Sequence, residues 1–133
     1  MGDMPEEDGD LDRASALKHR VPGKRHGMSG EPRARFEMGQ VVDHQIFGYR
    51  GVIYDVDPTF QQSEEWYETV AKSRPPKDRP WYHVLPDGAA HSTYVAERNL
   101  EPATEPTPVH HPLVEEIFEG FDGTMYHLRR GVD

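Results

Sequence analysis

The sequence predicts a mostly β protein: a small β-barrel with a short helical excursion, a short C-terminal helix and a disordered N-terminal tail. Two observations carry this. Three blocks rich in Val, Ile, Tyr and Trp, spanning 36–58, 80–85 and 93–100, alternate as strands do and are bounded by Gly, Pro or Asp-Gly. The 12 Gly, 12 Pro and 29% charged residues mean that the ordered part of the 133-residue chain is shorter than the whole and forms one domain at most. Such a domain buries about two thirds of its unfolded surface, so its stability is modest and oligomerisation would support it.

Residues 1–35 lack a sustained period of 2 or 3.6 and are expected to form the disordered tail, with one helical hint from Leu11 to Leu17. It is acidic before residue 13 and mostly basic from 13 to 35. That pattern suits an electrostatic arm for an acidic partner, or a solvated extension ahead of an initiator at Met28. The barrel is expected over 36–102. Gln40 to Gln45 and Tyr49 to Val56 read as two half-buried strands. Gly48 and Gly51 mark a bend, where φ is positive or a second backbone passes close. Asp57-Pro58 ends the second strand, since proline cannot donate to a ladder.

Residues 60–73 read as a short helix or a long excursion, with Ser63 as N-cap and Glu64 and Glu65 in the first turn. Arg74 to Pro80 is then extended and exposed. Trp81 to Leu85 and Ser92 to Ala96 form a hairpin across an Asp87-Gly88 turn, with Trp81, His83 and Leu85 on one face and Tyr82 and Val84 on the other. Arg98 to Pro102 closes with a turn or a short last strand. Residues 103–133 are a Pro-rich linker, then about two helical turns bracketed by Pro112 and Gly120, whose stripe of Leu113, Ile117 and Phe118 must dock on the barrel or on a partner subunit. A short edge strand at Met125 to Leu128 follows.

Charge restricts the partners. Residues 1–35 hold seven basic and seven acidic groups, whereas 36–133 hold 8 and 17, so the whole net charge of −9 falls on the expected fold. A domain charged this way repels phosphate backbones. Cysteine is absent, which removes disulfides, thiolate metal sites and cysteine nucleophiles. No apolar run approaches the roughly 20 residues of a spanning helix, and a soluble, cytoplasmic protein without membrane contact is expected.

Candidate chemistry is sparse. Asp55 and Asp57 share a strand face, as paired catalytic carboxylates do, but no third ligand lies near in sequence and an acidic strand end accounts for them. The eight histidines match no metal spacing, and neither a nucleophile elbow nor a phosphate loop occurs. No enzyme activity, metal or cofactor is expected. For Trp66 and Tyr67, core packing and partner contact both stay open.

Five blocks add a resemblance: Gly39-Gln40-Val41-Val42-x-His44, Tyr49 to Ile53, Asp55 to Pro58, Pro80 to Leu85 and Tyr94 to Leu100. In order and spacing they resemble the HspQ/YccV family of small heat-shock proteins, also called the hemimethylated-DNA-binding family, over roughly residues 36–128. Arg74 to Asp78 and the His111-Pro112-Leu113 segment look like its longer form. The resemblance implies an SH3-like barrel in a homo-oligomer, with a trimer suspected. It implies two roles without catalytic residues: binding hemimethylated DNA, or aiding protein quality control by enhancing degradation of selected substrates by the ATP-dependent protease Lon.

Of the two roles that the resemblance implies, the acidic balance favours the non-enzymatic protein-interaction module that modulates a Lon-type protease. Its candidate partner-binding residues are Trp66, Tyr67, Tyr126, Leu128, Arg129 and Arg130. In the DNA alternative, Arg50, Lys72, Arg74, Lys77 and Arg79 form the local basic cluster, with Tyr49 nearby.

Overall fold

A computed structural model describes Asp10–Leu11 and residues 33–129. The expected tail and the Leu11–Leu17 helical hint lie mostly outside these residues, as does Arg130. The described elements are β1 (Asp10–Leu11), β2 (Val41–His44), β3 (Arg50–Asp57), α1 (Glu64–Val70), β4 (Trp81–Pro86), β5 (Ser92–Ala96), a 3-10 turn (Glu97–Asn99), β6 (Leu100–Pro102), α2 (Val114–Ile117), β7 (Phe118–Phe121) and β8 (Tyr126–Leu128).

Six strands form one antiparallel sheet in the order β1-β5-β4-β3-β2-β6. After β5 the chain passes through the 3-10 turn and pairs as β6 with β2, His44 opposite Leu100, so the sheet curls towards a barrel. Gly48 takes φ +73° between β2 and β3. At Gly51 a Cβ would meet Val84 Cγ1 at 2.6 Å and the Leu85 carbonyl oxygen at 2.8 Å. The two glycines thus meet separate needs: positive φ at one, close approach at the other.

The inner face packs Phe36, Val42, Ile53, Tyr82, Val84, Val95 and Leu100. The opposite face is buried as well, and every residue of β4 and β5 is buried. One half lies under the excursion, where Trp81, Tyr94, Ala71 and Ala96 pack with Phe60, Trp66 and Tyr67. The other half lies under the C-terminal segment, where Val41, Val52, Tyr54 and Leu85 meet Val109, Leu113, Ile117, Phe118 and Tyr126. The half-buried strands expected from alternation are therefore buried on both sides.

The β3–β4 register shifts between Ile53 and Asp55, giving Ile53 opposite Val84 and Asp55 opposite His83. Tyr54 is the extra residue of this bulge. It leaves Val56 against the inner cluster and puts Asp55 and Asp57 with His83 beneath the excursion.

The C-terminal segment departs from the expected two-turn helix. Helix α2 has four residues, because Phe118 leaves it to begin β7, which pairs with β8, Phe121 opposite Tyr126. Asp122 Oδ1 accepts the Thr124 and Met125 amides at 2.9 Å each and closes this hairpin; those amide bonds hold its carboxyl well below the ordinary carboxylate range. A four-residue helix has no stability of its own. Burial of Leu113, Ile117 and Phe118 supplies it, at about 1.5–3 kcal/mol per side chain. Backbone bonds complete the docking: the Tyr126 amide donates to the Gly39 carbonyl at 2.8 Å and the Gly88 amide to the His110 carbonyl at 2.8 Å.

Candidate interaction site

The excursion begins where β3 ends. Ser63 Oγ accepts the Trp66 amide at 3.0 Å, which satisfies an orphan donor of α1, and Glu64 and Glu65 occupy the first turn. The helix sends its aromatic side inward. Trp66 meets Trp81 at 6.1 Å and Tyr94 at 5.6 Å between ring centroids, both edge-on, and Tyr67 meets Phe60 at 5.3 Å. The Tyr67 hydroxyl donates to the Pro75 carbonyl at 2.6 Å and Trp81 Nε1 to the Pro76 carbonyl at 3.0 Å, tying the proline-rich return to the sheet. Trp66 and Tyr67 are thus half-buried packing residues.

Beneath this lid lies a polar network that sequence spacing did not reveal. Asp57 Oδ2 accepts the Tyr94 hydroxyl at 2.8 Å and lies 3.1 Å from His83 Nε2, with all three side chains inaccessible to solvent. Tyr94 in turn accepts the Gln61 amide at 3.0 Å. Burial first, then the Asp57 charge, push the Tyr94 hydroxyl far above the ordinary phenol pKa, so it remains a donor. Ligand-capable atoms of Asp55, Asp57 and His83 lie within 4.8 Å of one another. His83 is the third group missing from the linear pattern, brought in by the β3–β4 pairing. Asp57 Oδ2 is engaged by Tyr94 and His83, and this network joins the excursion to the sheet.

The basic candidates are largely occupied. Arg50 pairs with Asp87 at 3.2 Å and donates to the Pro108 carbonyl at 3.0 Å. Arg74 Nη1 donates to the carbonyls of Tyr67 and Ala71 at 3.1 and 2.8 Å, capping the end of α1. Lys77 binds Glu64 at 2.6 Å and sits 4.3 Å from the Tyr67 ring centroid. Lys72 is engaged too. Tyr49 shares a 3.0 Å hydrogen bond with Thr93 Oγ1. Arg79, by contrast, has a loose 3.9 Å contact with its neighbour Asp78 and is 63% exposed.

The C-terminal candidates separate. Tyr126 is a core residue, 7% exposed, whose hydroxyl accepts the Val109 amide at 2.9 Å, so it has no face to offer a partner. Arg129 Nε donates to the Glu115 carbonyl at 2.8 Å. Leu128 does reach solvent, at 39% exposure. Two residues overlooked in the sequence are more open: Ile46 (55%) and Phe47 (42%), at the tip between β2 and β3. Their signal was present, as two large apolar side chains beside the turn glycine Gly48.

The profile of the family described as "Hemimethylated DNA-binding protein YccV like" matches residues 34–125, more than half of the chain. The chain belongs to this YccV-like family. F-box only protein 21 of Mus musculus is similar, 37% identical over 94 residues that cover 68% of this chain and 15% of that protein. The Pongo abelii and Homo sapiens proteins of that name are each 36% identical over the same lengths. The chain thus spans a small part of the length of these relatives. Within the YccV-like match lie the barrel, the excursion, the basic loop and the Ile46-Phe47 tip; Leu128 and Arg129 lie beyond it. Among the described residues no helix is long and apolar enough to cross a membrane.

Proposed function

We propose that this YccV-like protein is a non-enzymatic interaction module, an SH3-like barrel in a homo-oligomer, that binds protein partners and modulates degradation by an ATP-dependent, Lon-type protease. One observation carries the protein-binding part. The domain spends the cations Arg50, Arg74 and Lys77 on its own acids and carbonyls, while Ile46, Phe47 and Leu128 stand in solvent. Exposed apolar side chains on a rigid frame are what protein contacts use. Duplex DNA instead needs lysines and arginines released to phosphates. The occurrence of a similar domain within the longer F-box only protein 21 supports a module that works in the service of other proteins.

The test is a pull-down with purified Lon-type protease and the full chain, beside an Ile46→Ser/Phe47→Ser double variant. Capture by the native chain and its loss in the variant are expected; equal capture by both moves the contact elsewhere, and no capture by either defeats the proposal. The DNA reading keeps as support the family's own description and the exposed Arg79. A gel shift with hemimethylated, fully methylated and unmethylated duplex at low salt decides it. Retention at micromolar protein with a steep salt dependence would favour DNA.

A further inference from the structure

Among the described residues of this acidic domain, a surface concavity is basic. A half-open cleft of about 230 Å³ is lined by Arg35, Pro76, Arg79, Ala96, Glu97 and Arg98. Three separate segments build it: the entry to the barrel, the return from the excursion, and the 3-10 turn after β5. Three arginines face one glutamate, whereas the chain as a whole carries −9.

Its walls are held in place. Glu97 Oε2 accepts the Tyr82 hydroxyl at 2.6 Å and the Arg35 amide at 2.8 Å, so the carboxylate is turned into the wall. Arg98 Nη2 donates to Ser73 at 2.8 Å (carbonyl) and 3.1 Å (hydroxyl), which fixes that guanidinium at the rim. The Arg35 guanidinium lies 4.8 Å from the Phe36 ring centroid. Each guanidinium carries five N–H donors in a planar fork. Arg98 commits one nitrogen to Ser73 and Arg79 one to Asp78, so both keep donors for a ligand.

We propose that this cleft binds a carboxylate-bearing side chain of an acidic peptide segment, presented by a protein partner. This rests on reading the domain as a protein-binding module. Arginine forks match carboxylates bidentately, and Pro76 and Ala96 offer apolar wall to the methylenes of a glutamate. The volume suits one or two side chains. A duplex fits less well, because the exposed Asp78 beside Arg79 would lie against its continuous phosphates. With about two net charges to offer, the cleft would release few counterions.

The experiment is an NMR titration of the isotope-labelled full chain. The probes are a blocked hexapeptide of alternating glutamate and serine, its glutamine counterpart, inorganic phosphate, and a hemimethylated duplex. Saturating shifts at residues 76–79 and 96–98 with the glutamate peptide alone, weakened by salt, are expected. Arg79→Gln and Arg35→Gln should each weaken binding about tenfold, the value of one charge-assisted pair, with unchanged amide spectra elsewhere. Cleft shifts with phosphate or duplex in place of the peptide, or peptide shifts centred elsewhere, overturn the proposal. Protease capture with no cleft response defeats the cleft alone; cleft binding without protease capture defeats the protease reading alone.

Discussion

Replacing Tyr94 by Phe tests how the excursion is held. The ring stays, with its stacked contact to Trp81 at 5.1 Å between centroids, so little cavity opens. The hydroxyl takes with it a 2.8 Å bond to buried Asp57 and a 3.0 Å bond from the Gln61 amide. A hydrogen bond to a charged group contributes about 1.5–3 kcal/mol and a neutral one about 1 kcal/mol, so the loss comes to about 3 kcal/mol. At a urea slope near ~1.5 kcal/mol/M the unfolding midpoint falls by about 2 M. Tyr54→Phe is the control. Tyr54 is as deeply buried, but its hydroxyl donates to a neutral acceptor, Ser92 Oγ, at 3.2 Å, and its loss should cost about 1 kcal/mol. Urea melts of both variants, followed by tryptophan fluorescence, make the comparison. Equal losses would refute the view that Asp57 anchors the lid through Tyr94.

Three further outcomes follow from the packing. Ser63→Ala removes the N-cap of α1 and should cost about 1 kcal/mol, seen as faster hydrogen exchange at Trp66 and Tyr67 with barrel amides unchanged. Ile117→Ala opens a cavity at a fully buried position and should cost about 2–5 kcal/mol, loosening α2 and the β7–β8 hairpin first; a loss under ~1 kcal/mol would mean that the segment is not docked. Burial pushes the hydroxyls of Tyr54, Tyr82 and Tyr94 far above the ordinary phenol value. A folded pKa raised above the unfolded one gives stability that is complete below pH ~10 and lost above it. With three such groups the decline reaches about 4 kcal/mol per pH unit, so tyrosinate absorbance should rise together with unfolding. Ionisation of all three near pH ~10 in a folded chain would contradict their burial.

Much of the frame was legible from local chemistry. Alternation marked β4 and β5, Ser63 with its two glutamates marked α1, and Gly48 and Gly51 marked the bend. These signals are short-range, which is why they survive in a linear reading. Long-range covering was not legible. Strands that read as half-buried are buried twice because Phe60, Trp66 and Tyr67 fold over one half of the outer face and Leu113, Ile117 and Phe118 over the other. The helix expected from Pro112 to Gly120 stops at Ile117, since Phe118 to Phe121 gains strand partners in β8. Candidate surfaces suffered most. Tyr126 went to the core, Lys77 pairs with Glu64 while Arg74 caps carbonyls of α1, and Arg35, Arg79 and Arg98 meet only through tertiary folding.

We propose that the barrel acts on protein degradation by contact. The direct measurement is the rate at which purified Lon-type protease degrades a folded substrate as the full chain is titrated in, with Phe47→Ser as comparison. A saturable change in rate that the variant lacks is predicted. An unchanged rate across the titration, with hemimethylated duplex bound by the same sample, would contradict it.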